Sequence, residues 1–239
     1  MKIKSIRVTK AKLDTIPEIE RAFCVHIGHL RNELMVLRKL LERSAKHPPD
    51  NPVLGDVHFS QSFIMARLLA GKLWEGWELL KKAYFSTKLA LMIESNLPDD
   101  AKDSLRNLKK YFGNKNVINK VRNEFAFHYD HQRVRTQLSL VEETDNLKIY
   151  AAENEDVLFQ FSEVIVGSAM LEAVQPGDFV AATEKFFTEM MGISGQLVVF
   201  CDGCLHYMIK TYIGYDQAEE TEIPDPPKCD DLRLPCFCK

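Results

Sequence analysis

Residues 59–84 read FSQSFIMARLLAGKLWEGWELLKKAY, and this stretch decides the fold class. Its apolar side chains recur at alternating steps of four and three residues, which is the spacing of one face of an α-helix. The stretch therefore predicts a long helix, roughly Val57 to Asn96, that packs into the core along this face. We expect both tryptophans to be core residues rather than base-stacking platforms. The residues on the face are Phe59, Phe63, Ala66, Ala70, Leu73, Trp77, Leu80 and Tyr84.

A second long helix is predicted upstream. Thr15 and Pro17 are typical of a helix start, and the prolines after His47 cannot continue a helix. We expect residues 1–15 to be an irregular or loosely docked arm. His26 and His29 lie three residues apart, but no acid or thiol is spaced to join them at a metal, so they are predicted to be core-edge residues. The apolar stripe of this helix is Ile19, Phe23, Ile27, Leu30, Leu34, Leu37 and Leu41.

The remaining chain completes a mainly α protein. A short basic helix is predicted over about Asp99 to Phe112, followed by a helix to about Leu138. The runs 146–151 and 156–161 are typical of the two short strands of a β-hairpin. We predict an antiparallel bundle of long helices with this small inserted β-hairpin, in a single domain over residues 1–239. Its parts are core helices at 16–140, hairpin and short helix at 141–177, a long helix at 178–214 and an extended tail at 215–239.

Charge is distributed unevenly along the chain. The 239 residues carry a net charge of -3, which argues against a general nucleic-acid coat. Residues 101–135 nevertheless hold nine basic and three acidic side chains, whereas residues 142–178 hold nine acidic side chains and one lysine. The basic segment can attract phosphates, although a solvated helix face is the more common explanation of such charges. No signal peptide and no apolar run of about 20 residues is present, so we predict a cytoplasmic protein without a membrane span.

The cysteines offer one alternative chemistry. Cys201 and Cys204, followed by Cys229, Cys236 and Cys238, have spacings that invite a zinc site. Cys204, however, falls on the apolar face of the predicted long helix, and Cys236 and Cys238 are only two positions apart. Since free cysteines are common core residues, we favour that interpretation and predict no metal.

One stretch carries a chemically distinctive set of side chains. Residues 114–130 read NKNVINKVRNEFAFHYD, with a helix cap at Asn116 and an apolar stripe through Val121. Arg122, Asn123 and His128 follow on this stripe. Arg122 offers a charged fork of donors, and an imidazole changes protonation near neutral pH. Together they form a phosphate-handling set.

The spacing of this set constrains how it can work. Arg122 and His128 are six residues apart, which places them about 120° apart around an ideal helix. Either the helix is distorted near His128, or the pair acts across an interface with a second copy of the chain. Glu124 and His128, four apart, are the aligned pair. The alternative is that Arg122 and His128 are surface residues of an amphipathic helix.

The stretch resembles the HEPN superfamily (higher eukaryotes and prokaryotes nucleotide-binding), and its sequence is most similar to the abortive-infection branch. The signature is an arginine and a histidine separated by four to six residues, with a polar residue directly after the arginine. Here Arg122, Asn123 and His128 fit it. The resemblance implies a helical domain that forms a homodimer and cleaves RNA without a metal or cofactor, as a toxin or phage-defence effector with an antitoxin protein as a further partner.

Under this resemblance the three signature residues are catalytic, and Tyr129 and Asp130 support them. Lys120, Arg133 and Arg135 are predicted to bind the RNA backbone, although Arg133 and Arg135 would equally suit exposed ion pairs. The alternative function is a non-catalytic dimeric module for protein interaction or nucleotide binding. In that case the same residues would hold the dimer together or contact the nucleotide.

Overall fold

The computed structural model describes residues 1–45, 51–126, 130–153, 156–214 and 218–225. This part of the chain is mainly α with a small inserted β-hairpin, which confirms the predicted fold class. No helix in it is both long enough and apolar enough to cross a membrane. The helices are α1 (Lys10–Asp14), α2 (Glu18–Ala45), α3 (Pro52–Leu79), α4 (Leu89–Glu94), α5 (Asp99–Phe112), α6 (Val117–Val121), α7 (His131–Leu138), α8 (Gln160–Val174) and α9 (Phe179–Met208). Three π-helices, Leu80–Phe85, Arg122–Ala126 and Ile209–Ile213, and four strands, β1 (Lys2–Ile6), β2 (Tyr150–Ala151), β3 (Val157–Leu158) and β4 (Ala218–Glu222), complete it.

The described chain forms two compact units. The first contains Met1–Met35, Glu75–Gly113 and the described residues from Gly195 onward. The second contains the described residues of Val36–Trp74 and Asn114–Ser194. The single domain over residues 1–239 stays a prediction.

In the first unit, α2 runs antiparallel to α9. Arg31 Nε lies 2.8 Å from Asp202 Oδ1, and the Tyr212 hydroxyl donates to Glu20 Oε2 over 2.5 Å. As residue numbers rise along α2, the numbers of the partner residues fall along α9 and the π-helix Ile209–Ile213 that follows it. Aromatic rings fill the space beside this pair: Phe23 stacks on Tyr84 at 5.4 Å, and the buried Trp77 stacks on Phe112 at 4.8 Å. The prediction that Trp77 is a core residue is confirmed.

In the second unit, α3 runs antiparallel to α8. Arg67 pairs with Glu163 at 2.7 Å, and Phe63 lies against Gly167, where a Cβ would be 3.4 Å from the ring. Phe63 is also 5.7 Å from the ring of Phe187 on α9. The residues that build this core are buried almost completely: Phe63, Leu69, Leu73, Ile118, Met170, Phe186 and Met190.

The predicted irregular arm at residues 1–15 is wrong. This segment contains β1 and α1, and β1 pairs antiparallel with β4 in the register Lys2↔Glu222. Nearly every residue of the ribbon is exposed, so neither strand has the half-buried alternation that reveals a strand in sequence. Opposite charges contribute instead, since Lys2 pairs with Glu220 at 2.8 Å. β4 lies in the predicted extended tail, whose residues 215–217 and 226–239 fall outside the described chain.

Two other elements differ from their predicted bounds. The helix predicted to reach Asn96 stops its α-form at Leu79, becomes π-helical and breaks before α4. The Ser86 and Thr87 hydroxyls donate to the carbonyls of Lys82 and Ala83, which competes with continued helix. The hairpin pairs only Tyr150–Ala151 with Val157–Leu158, so its strands are shorter than predicted.

Candidate functional site

The signature segment, residues 114–130, begins as predicted. The Asn116 side chain accepts from the backbone N–H of Asn119 at 2.8 Å, which caps α6. The apolar stripe is buried, as expected from its spacing, and α6, the following π-helix and α7 all contact α8. This packing positions the polar face of the segment. The buried stripe consists of Val117, Ile118, Val121 and Phe125.

The continuous helix predicted to reach Leu138 is wrong. α6 ends at Val121, the π-helix Arg122–Ala126 follows, and α7 starts at His131. The N–H of Asp130 donates to the Glu124 carbonyl at 3.3 Å, across six residues, and the Asp130 side chain caps α7. A π-helix widens the turn and is frequent at functional sites. The spacing of Arg122 and His128 predicted either a distorted helix or an interface with a second copy of the chain. The π-helix is a distortion of the helix in this segment.

Phe127, His128 and Tyr129 lie outside the described residues. The predicted catalytic imidazole and the supporting tyrosine therefore stay predictions. What the structure does describe is the geometry on both sides of them, from Arg122 to Ala126 and from Asp130 onward.

Arg122 and Asn123 belong to a series of side-chain hydrogen bonds. Arg122 Nη1 donates to Asn123 Oδ1 at 2.9 Å, and Asn123 Nδ2 donates to Asn119 Oδ1 at 2.6 Å. Asn119 is in turn held by the cap at Asn116. The Asn123 amide is therefore oriented from both ends and holds part of the half-buried guanidinium. This chain is not among the sequence predictions, although asparagines at 116, 119 and 123 follow helical steps of three and four.

The predicted RNA-binding Arg133 contacts acids inside the protein. Its Nε lies 2.7 Å from Glu124 Oε2 and 3.4 Å from Asp130 Oδ2. The shorter contact is an ion pair without an aligned hydrogen bond to that oxygen. Glu124 is on the π-helix and Arg133 is on α7. The ion pair therefore links the two elements that flank the segment carrying His128.

The other two predicted RNA-binding cations differ from each other. Lys120 Nζ donates to the Ala173 carbonyl in the last turn of α8, where a cation also interacts favourably with the helix dipole. Arg135 is exposed on α7 and makes no ion pair with a described residue. Of the three, Arg135 is the most exposed to solvent.

The cysteines and histidines described outside residues 114–130 do not form a metal site. Cys201 and Cys204 are buried in α9, and burial raises the pKa of both thiols above the usual value, which disfavours the thiolate. Cys229, Cys236 and Cys238 fall outside the described chain. His26 and His29 are exposed rather than at the core edge, and His29 faces Glu33 at 3.3 Å. Within the described ranges, no three His, Cys, Asp or Glu residues are grouped to hold a metal ion.

A polar cluster ties the hairpin region to α3. Asp56 Oδ2 accepts from Lys148 Nζ at 2.9 Å and from the Tyr150 hydroxyl at 2.5 Å. Partial burial alone would raise the pKa of Asp56, but the two hydrogen bonds and the lysine charge together hold it below the usual value. The cluster has no helical or strand spacing that sequence could reveal. Its partners come from α3 and from the chain around β2, so it links these two parts of the fold.

The described part of the site can hold an anion. It presents a guanidinium that is always charged, fixed by an amide on a widened helical turn immediately before the segment that contains His128. Such an arrangement suits a phosphate oxygen whose charge grows during a reaction. Comparison of the chain with protein-family models, curated proteins and solved structures found no match.

Proposed function

We propose that this protein is a metal-independent endoribonuclease of the HEPN type, which acts in the cytoplasm on single-stranded RNA as a toxin or phage-defence effector. The observation that carries the proposal is the Arg122–Asn123–Asn119 hydrogen-bond chain, which joins the π-helix to α6. It holds a permanent cation and an amide next to His128 in sequence. The HEPN resemblance assigns Arg122, Asn123 and His128 to catalysis.

The proposed reaction is cleavage by the ribose 2′-hydroxyl. His128 accepts the 2′-hydroxyl proton while the 2′-oxygen bonds to phosphorus. The bond from phosphorus to the 5′-oxygen breaks and leaves a 2′,3′-cyclic phosphate. The leaving 5′-oxygen takes a proton from water, and the protonated His128 returns its proton to the solvent. Arg122 stabilises the negative charge that grows on the phosphate oxygens, and Asn123 holds the Arg122 guanidinium in place. Asp130 supports the site by fixing where α7 begins.

The proposed active form is a homodimer. The HEPN resemblance implies a dimer, and two copies facing each other would surround one cleft with cations and imidazoles. An antitoxin protein is proposed as the partner that restrains this form. Light scattering at micromolar concentration should give the mass of a dimer, and a monomer would contradict this part of the proposal.

A second candidate function has an observation in its favour. Lys120 and Arg133 both contact groups within the protein, as expected for structural rather than RNA-binding residues. A non-catalytic dimeric module for interaction or nucleotide binding would have this property. Such a module would bind RNA or a nucleotide without cutting RNA.

The test compares arginine variants on single-stranded RNA in excess chelator. Arg122→Ala should lower the cleavage rate by about 10²–10³-fold, because it removes transition-state stabilisation. Arg135→Ala should instead weaken RNA binding and reduce its logarithmic salt slope by about 0.7. Arg106→Ala is the matched control, since Arg106 is an exposed arginine paired with Asp103. If Arg122→Ala cleaves as fast as the control, the role proposed for Arg122 is wrong.

A further inference from the structure

A cavity of about 240 Å³ lies between α7, α8 and the chain from Leu140 to Leu147. Its lining is more polar than apolar, and the exposed Leu140 and the buried Ile165 supply part of the apolar surface. Pockets for drug-sized ligands have volumes of about 300–1,000 Å³, so this one suits a smaller ligand. It belongs to the same unit as the signature segment and shares α7 and α8 with it.

Four polar side chains line the cavity: Gln137, Asp145, Asn146 and Ser168. Asp145 Oδ2 accepts from the N–H of Glu142 at 2.8 Å, which fixes the carboxylate, whereas Oδ1 accepts no hydrogen bond from a described residue. The other three side chains form no hydrogen bond within the described chain. Polar side chains with free hydrogen-bonding capacity beside a smaller apolar surface suit a small polar ligand.

The polar groups select the ligand by their hydrogen-bonding capacity. A carboxylate only accepts, an amide both donates and accepts, and a hydroxyl does either. Guanine presents N–H donors from N1 and N2 beside its O6 acceptor, which suits one carboxylate next to a side-chain amide. Adenine, cytosine and uracil each lack two adjacent donors on that edge. Single-stranded RNA is recognised mostly through such exposed base edges.

We propose that this cavity binds one guanine base of the RNA substrate, with Asp145 accepting from its N–H groups and Gln137 or Asn146 donating to O6. The proposal rests on the proposed function for the identity of the polymer. Gln137 lines the cavity from α7, the helix that also carries the exposed Arg135 assigned to the RNA backbone. The cavity therefore gives the ribonuclease a preference for guanine.

The test is a titration of the full chain with 5′-GMP, 5′-AMP, 5′-CMP and 5′-UMP, followed by ¹H–¹⁵N NMR. The phosphate and ribose are common to all four probes, so a difference in affinity reports the base. GMP should bind at least about tenfold more tightly than the others. Asp145→Asn, which keeps an oxygen for the Glu142 N–H, should weaken GMP binding by about tenfold, and Gln137→Ala should also weaken it. The control is Glu143→Gln, an exposed acid that does not line the cavity.

Equal affinity for the four nucleotides, no GMP binding, or unchanged binding in both cavity variants would overturn the guanine site. The outcome is separable from that of the ribonuclease proposal because binding is measured without cleavage. Guanine binding that depends on Asp145 in a protein that cuts no RNA would support the cavity and refute the nuclease. Cleavage without guanine binding would do the reverse.

Discussion

Gly203 should not tolerate a methyl group, whereas Gly28 should benefit from one. Both glycines lie in helices of the first unit, Gly203 in α9 and Gly28 in α2. A Cβ added at Gly203 would lie 2.6 Å from Ala101 Cβ and 3.3 Å from Leu97 Cδ2. A Cβ at Gly28 would lie 3.7 Å from Leu205 Cδ2, which is an ordinary van der Waals contact. The two alanine variants therefore differ in packing but share the same change in helix propensity.

The expected magnitudes follow from these contacts. Replacing glycine by alanine inside a helix stabilises by about 1 kcal/mol, and this gain applies to both variants. Ala101 Cβ is bonded directly to the backbone and cannot rotate away, so α5 must move when Gly203 gains a methyl group. Overpacking of this kind costs about 1–3 kcal/mol. Gly203→Ala should therefore be less stable than Gly28→Ala by about 1–3 kcal/mol.

The assay is urea unfolding of wild type and both variants, with thermal melts as a second readout. For a protein of this size, 1 kcal/mol corresponds to about 2–4 °C in Tm, so the two variants should differ by roughly 2–12 °C. Circular dichroism should show the same helix content in all three proteins. Equal midpoints for Gly203→Ala and Gly28→Ala would refute the close approach of α5 to α9 at Gly203.

Three further predictions concern buried and titrating groups. Tyr84→Phe should raise the free energy of unfolding by about 1 kcal/mol, because the fully buried Tyr84 hydroxyl has no hydrogen-bond partner in the described chain; a lower urea midpoint would contradict this. Asp56→Asn should destabilise the protein at pH 7. Because the pKa of Asp56 in the folded state is below 3.8, its stabilising effect is present above that pH and is lost as the pH falls through the folded value, so the difference between variant and wild type should shrink in acid unfolding curves. Elemental analysis of protein purified without added metal should find far less than one zinc per chain; a stoichiometric zinc whose removal by chelator unfolds the protein would contradict the assignment of Cys201 and Cys204 as core residues.

The long helices are predictable because their packing is encoded locally. Phe23 and Leu34 in α2, and Phe63 and Leu73 in α3, recur at helical steps and are almost completely buried. The bounds of α5, Asp99–Phe112, also match the prediction, since acidic residues in the first turn and a glycine after the last are local signals. These features need no knowledge of a distant partner.

The features that sequence did not predict depend on hydrogen-bond register or on distant partners. A π-helix shifts the hydrogen-bond register while keeping an apolar face, so Leu80 and Tyr84 fit the stripe of a regular helix equally well. β1 finds β4 more than 200 residues away, and neither strand buries a face. At the candidate site the motif in the sequence predicts which residue types are present. The engagement of Lys120 by Ala173 depends on tertiary packing, which a linear motif does not contain.

The most direct test of the proposed function is the single-turnover cleavage of single-stranded RNA in excess chelator by wild type, His128→Ala and His131→Ala. His131 is an exposed histidine three residues further along the chain and serves as the matched control. Removing a positioned acid–base group costs about 10²–10⁴-fold in rate, so His128→Ala should lose nearly all cleavage while keeping the dimer mass and helix content. His131→Ala should cut like wild type. If wild type cuts no RNA, or if His128→Ala cuts as fast as wild type, the ribonuclease proposal is wrong and the interaction module takes its place.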